Sequence, residues 1–98
     1  MRHVARHRLL WIVCLLCAGL LPRLALADAA RARAHFDKGR TFFEVDEYRK
    51  AIAEFKAAHI EKPDPAFLYN IAECYRRLGE VPEALQFYRR FLATAPPV

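Results

Sequence analysis

The chain repeats itself at a spacing of 33 residues. Laying Ala51-Ile52-Ala53-Glu54-Phe55 over Ala84-Leu85-Gln86-Phe87-Tyr88 requires that shift, and the same shift carries Phe42 to Tyr75, Ala58 to Phe91 and Pro63 to Pro96. Self-similarity at such a period is the mark of stacked supersecondary units that share a continuous core. Each unit divides into two runs with apolar residues at helical spacing, roughly 29–45 and 47–61, then 65–78 and 82–93. The punctuation agrees with these limits. Asp64-Pro65 offers an N-cap followed by proline at the first helical position, where a missing N–H leaves no hydrogen bond unmade. Gly79 stands where a helix ends in the left-handed conformation, and Pro82 opens the next helix. No segment alternates with period two, so the expected fold is all-α: antiparallel helical hairpins stacked as a short α-solenoid, with units at about 32–64 and 65–98 and no strands.

The first 27 residues have a different character. Met1 to Arg8 is basic, Leu9 to Leu21 carries no charge, and Ala25-Leu26-Ala27 places small residues at the −3 and −1 positions of a cut before Asp28. This is the three-part pattern of a secretory signal peptide, which predicts residues 1–27 as a leader and 28–98 as the exported domain. A membrane-spanning helix needs about 20 apolar residues, and Pro22 and Arg23 interrupt the run before that. Retention of the segment as an inner-membrane anchor is the alternative, favoured by Arg23 close to the cut. Cys14 and Cys17 follow Val13 and Leu16, not the small residue that lipid attachment requires, and read as apolar filler of the leader. The charge divides at the same place. Of the sixteen Lys and Arg, four precede Asp28, whereas all eleven Asp and Glu lie from Asp28 onward, so the net +5 of the chain falls to +1 in the rest. The basic balance is therefore no argument for a nucleic-acid partner.

Small residues mark the close approaches. Ala51 and Ala84 stand where the two helices of a unit meet, with Gly39 and Ala72 facing them on the first helices. Phe42, Phe55, Tyr75 and Tyr88 fill the space around these contacts, and Leu78 and Leu85 complete the second unit. The last helix is expected to carry Leu85, Tyr88, Phe91 and Leu92 along one side, with Phe87 on another flank.

The run Leu68-Tyr69-Asn70-Ile71-Ala72-Glu73-Cys74-Tyr75-Arg76-Arg77-Leu78-Gly79, followed by Pro82-Glu83-Ala84-Leu85-Gln86-Phe87-Tyr88 and Pro96, resembles the tetratricopeptide repeat family. Gly39, Phe42, Tyr48, Ala51, Ile52, Phe55, Ala58 and Pro63 match in the first unit. The family pattern is Trp-x-x-Leu-Gly-x-x-Tyr followed by Ala, Phe and Pro. This chain has His35 and Leu68 in place of Trp, Lys38 in place of Leu, and Ala72 in place of the first Gly of the second unit. The stretch Pro63 to Ala72 is similar in wording to repeats of exported proteins of Gram-negative bacteria. The resemblance implies a helical-repeat fold, a protein or peptide partner, and a periplasmic module without catalysis.

The chemistry available to an enzyme is sparse. The chain has no Ser, its Thr residues are Thr41 and Thr94, and Cys74 is the one thiol after the leader, on the inward side of its helix. A buried structural thiol is the plainer reading of Cys74. His35 and His59 have no second ligand at metal spacing, so neither a metal nor another cofactor is expected. Glu44, Asp46 and Glu47 beside Arg40, Arg49 and Lys50 read as a solvated turn. Arg76-Arg77 and Arg89-Arg90 lie on different helices among Glu73, Glu80 and Glu83, a mixed-charge exterior and not a phosphate-binding patch. Tyr75, Tyr88 and Phe91 have core spacing and form no stacking platform for bases.

The family register implies a concave groove lined by the first helix of each unit. Phe36, Arg40 and Phe43, with Arg33, Asp37 and Glu44, face it from the first unit, and Tyr69, Asn70, Glu73, Arg76 and Arg77 from the second. Plain solvent exposure is the bland reading of each. Asn70 matches an asparagine of family members that clamp a terminal carboxylate, but Phe36 and Arg40 stand where that clamp uses Lys and Asn, which argues against that co-chaperone role. The leading expectation is a scaffold that binds a partner through this groove or through an open final helix, with self-association through residues 82–93 as one outcome of the latter. The alternatives are an accessory or truncated repeat domain of a larger envelope enzyme, since the chain stops where a third unit should begin, and a signal-anchored membrane scaffold.

Overall fold

A computed structural model describes the backbone of residues 2–97 and the side chains of residues 8, 10–14 and 22–97. The side chain of Cys17 and most of the Leu9–Leu21 stretch lie outside the described residues. Four helices follow one another: α1 (Arg2–Glu44), α2 (Tyr48–Glu61), α3 (Pro65–Arg77) and α4 (Val81–Thr94), with no strand among the described residues. Residues 45–47, 62–64 and 78–80 connect them, and each helix packs on the next in sequence. Connections this short reverse the chain and produce two stacked antiparallel hairpins.

The internal repeat extends to individual hydrogen bonds. Glu47 N–H donates to Phe42 O at 2.9 Å, and 33 residues on, Glu80 N–H donates to Tyr75 O at 3.0 Å. The pairs Asp46 to Phe43 and Gly79 to Arg76 follow the same rule, as do Ala51 to Glu47 and Ala84 to Glu80. These bonds close each first helix with a left-handed residue: Gly79 at φ 75° in the second unit and Asp46 at φ 61° in the first. Asp64 caps α3 as its sequence predicts, its Oδ1 accepting from Ala66 N–H at 2.9 Å with Pro65 at the helix start.

The core lies between the helices where the small residues stand. Ala51, Ala58 and Ala72 are fully buried, Gly39 and Ala84 are buried, and Phe55, Leu68, Ile71 and Cys74 fill the space between them. Phe42, Tyr75, Leu78 and Tyr88 are half-buried against this cluster. One expectation is corrected at α4. Phe87, placed on a flank by periodicity, is buried and stacks on Tyr75 at 5.6 Å, whereas Leu85 is 46% exposed and Leu92 74% exposed. The repeat gives the reason. Ile52, the equivalent of Leu85, is 6% exposed because α3 packs on α2, and none of the described residues covers α4 in that way.

The 27/28 boundary does not interrupt the backbone. α1 runs through it and through Pro22, whose missing N–H leaves one carbonyl of the preceding turn without a helical donor. Before the boundary Leu10, Trp11, Ile12, Val13, Leu24 and Leu26 are exposed. Just past it, Arg31 reaches Glu61 of α2 at 3.0 Å and Ala32 is buried. Among the described residues no helix is long and apolar enough to cross a membrane.

A candidate partner-binding groove

Phe36, Arg40, Phe43 and Glu44 recur at helical spacing along α1, and Tyr69, Asn70, Glu73 and Arg77 do so along α3, so each set occupies one helix face. The two faces converge on a cavity of about 380 Å³ with Phe55 of α2 at its base. A second hollow of about 420 Å³ continues towards the α2–α3 connection and shares Phe36 with the first. Arg33 lines this second hollow, with Lys62, Asp64 and Phe67.

Aromatic contacts hold the shape. Phe36 sits 5.9 Å from Phe55 and 5.6 Å from Phe67, centroid to centroid, and Phe43 meets Tyr48 edge-on at 5.3 Å. Tyr69 leans towards α4, 6.0 Å from Tyr88 and 5.4 Å from Phe91. Two arginines lie over ring faces at cation–π distance: Arg40 Cζ is 5.9 Å from the centroid of Phe36, and Arg77 Cζ of α3 is 5.8 Å from that of Phe43 on α1. Arg77 thus ties the two walls together.

Eight of the eleven groove residues expected from the sequence line the cavity, namely Phe36, Arg40, Phe43, Glu44, Tyr69, Asn70, Glu73 and Arg77. Arg76 is set beside it. Its guanidinium donates to Glu73 Oε2 at 2.8 Å, and Tyr88 Oη–H donates to the other oxygen of the same carboxylate. The hydrogen bonds from Arg76 and then Tyr88 hold the Glu73 carboxyl below the usual carboxylate range against the opposing effect of burial. Asp37 is turned away towards Lys38 and Thr41, and pairs with Arg33 at 3.3 Å. Phe55 and Phe67 escaped the sequence reading. The first was assigned wholly to the core, and the second lies outside the matched repeat positions.

The other polar candidates have structural partners. His35 Nδ1 lies 2.7 Å from Glu54 Oε2, joining α1 to α2, and His59 Nδ1 accepts from Asp64 N–H at 3.2 Å. Burial, reinforced by the neighbouring Glu73 charge, pushes the Cys74 thiol up to about 12, which keeps it protonated and inert at neutral pH. The arginine pairs divide: Arg76 serves Glu73, Arg77 lies on Phe43, and Arg90 lies 5.0 Å over Phe87.

Stacked helical hairpins with small residues at their crossings and a concave groove of aromatics define a helical-repeat binding module. The tetratricopeptide repeat family model matches residues 36–98, and the chain belongs to that family. Repeats of this family mediate protein–protein interaction. U-box domain-containing protein 70 of Oryza sativa subsp. japonica is 33% identical to this chain over 70 residues, which cover 70% of the chain and 9% of that protein. The match thus spans about a tenth of that relative's length. No solved structure matches the chain.

Proposed function

We propose that the chain is a non-catalytic scaffold of the cell envelope that holds a segment of a partner protein in the α1/α3 groove. The observation that carries this reading is the convergence of eight predicted residues on one cavity whose walls are helices. A groove formed before binding spares the partner the cost of ordering it. The cavity's own groups suit contact better than reaction: rings, two guanidiniums at cation–π distance, one amide, the exposed Glu44 carboxylate and the Glu73 carboxylate already hydrogen-bonded. Tyr69→Ala with Asn70→Ala should abolish capture of the natural partner in a pull-down while the circular dichroism stays helical. Equal capture by this variant would move the site off the groove.

Export rests on the leader pattern, and the packing of α1 supports it. The first described side chain of α1 with an ion pair to another helix is Arg31, and the first buried one is Ala32, so removal of residues 1–27 would leave these contacts in place. N-terminal sequencing and intact mass of the protein from a periplasmic fraction should give a chain starting at Asp28, and Ala27→Arg should block that processing. A second reading, self-association through residues 82–93, is favoured by the exposure of Leu85 and Leu92 on α4.

A further inference from the structure

The charges that line the groove are not in equivalent states. Glu73 is already compensated by Arg76 and Tyr88, and Glu44 stands exposed at the end of α1. Arg40 and Arg77 lie over the rings of Phe36 and Phe43, and among the described residues no carboxylate stands within ion-pair distance of either. A guanidinium laid on a ring keeps its edge N–H groups in a fixed fork suited to a carboxylate. Among the described residues Glu44 is the one unpaired carboxylate of the lining against two unpaired guanidiniums, so the unspent charge of the groove is net positive, and its positive members lie beside its apolar surface.

The geometry points to an acidic protein segment as the occupant: an Asp or Glu side chain engages Arg40 and Arg77, and an adjacent aromatic or aliphatic residue packs on Phe36 and Phe43. This rests on the groove reading above and gives the partner its chemistry. The recognised carboxylate belongs to a side chain. A chain terminus is not required, because Phe36 and Arg40 replace groups that would close around one. The Asn70 amide is placed to pair with the backbone of an extended segment passing α3.

The test is panning of a random decapeptide library, acetylated and amidated so that no terminal charge remains, on the immobilised full chain. The wild type should enrich Asp or Glu next to an apolar residue. The best recovered peptide should lose about tenfold or more in affinity when its acidic residue becomes the amide, and by a similar factor against Arg40→Gln with Arg77→Gln, as expected for a charge-assisted bidentate pair. Its affinity should also fall with rising salt, a readout on the wild type that survives if the arginine variant fails to fold. Enrichment of neutral or basic peptides that still require Tyr69 and Asn70 overturns the acidic assignment and leaves the groove. Enrichment indifferent to Tyr69→Ala with Asn70→Ala overturns the groove reading, and this assignment with it.

Discussion

Phe55 occupies the space that a side chain on Gly39 would need: a Cβ built there would stand 2.6 Å from Phe55 Cε1 and 2.7 Å from Cδ1. The ring is 2% exposed and would have to shift to admit a side chain at Gly39. The contact explains why the first unit carries glycine where the second carries Ala72, since Tyr88, the counterpart of Phe55, is only half-buried. Overpacking costs about 1–3 kcal/mol, while replacing a helical glycine by alanine gains about 1 kcal/mol. Gly39→Ala should therefore lower stability by up to about 2 kcal/mol in denaturant titration, and Gly39→Leu by more. In a Phe55→Leu background the cost of Gly39→Ala should shrink, and a double-mutant cycle measures that coupling.

The left-handed pair Asp46 and Gly79 predicts opposite signs for mirror substitutions. A Cβ on Gly79 meets nothing within 4 Å, so Gly79→Ala should cost only the backbone term, about 1 kcal/mol. Asp46→Gly relieves the same term and gives up the hydrogen bond from Tyr48 Oη–H to Asp46 Oδ1 at 2.8 Å. Because that bond is exposed, the variant should melt at or above the wild-type temperature, whereas Asp46→Val should melt below it.

Stability should fall at both ends of the pH range, for different groups. The Glu73 carboxyl is lowered in the folded state, so its contribution is present above the unfolded value of about 4.3 and is lost as pH falls through the folded one. Tyr88→Phe should make this acid limb shallower. The Cys74 thiol is raised to about 12 in the folded state. Its contribution is present below the unfolded value of about 8.5 and is lost as pH climbs from there. Cys74→Ala should flatten part of that alkaline limb in melting curves taken across the range. At pH 8 the thiol should resist alkylation until denaturant is added.

Exposed Leu85 and Leu92 on α4 should drive concentration-dependent association of the chain. Leu85→Glu with Leu92→Glu should leave the thermal midpoint nearly unchanged and shift sedimentation towards monomer. A wild type that stays monomeric at high concentration would show that this face does not serve a second copy.

The end of α1, the limits of α2, α3 and α4, the Asp64 cap, the left-handed Gly79 and the small residues at the helix crossings were legible in the sequence, because each depends on local backbone chemistry or on a periodicity repeated twice. The start of α1 at Arg2, far before the expected 29, was not. Both walls of the groove came from the resemblance to the tetratricopeptide repeat family, whose register sets which residues of each first helix share a face. Tertiary structure alone decided which neighbours turned inward. One step along α3 rotates a side chain by about 100°, which separates Arg77 over Phe43 from Arg76 beside Glu73. Phe87 rather than Leu85 is buried because burial depends on which helix lies opposite, and none of the described residues covers α4 as α3 covers Ile52. His35 with Glu54 and Arg31 with Glu61 pair across the α1–α2 contact. No spacing along a single helix encodes such partners, because they meet only after the hairpin has closed.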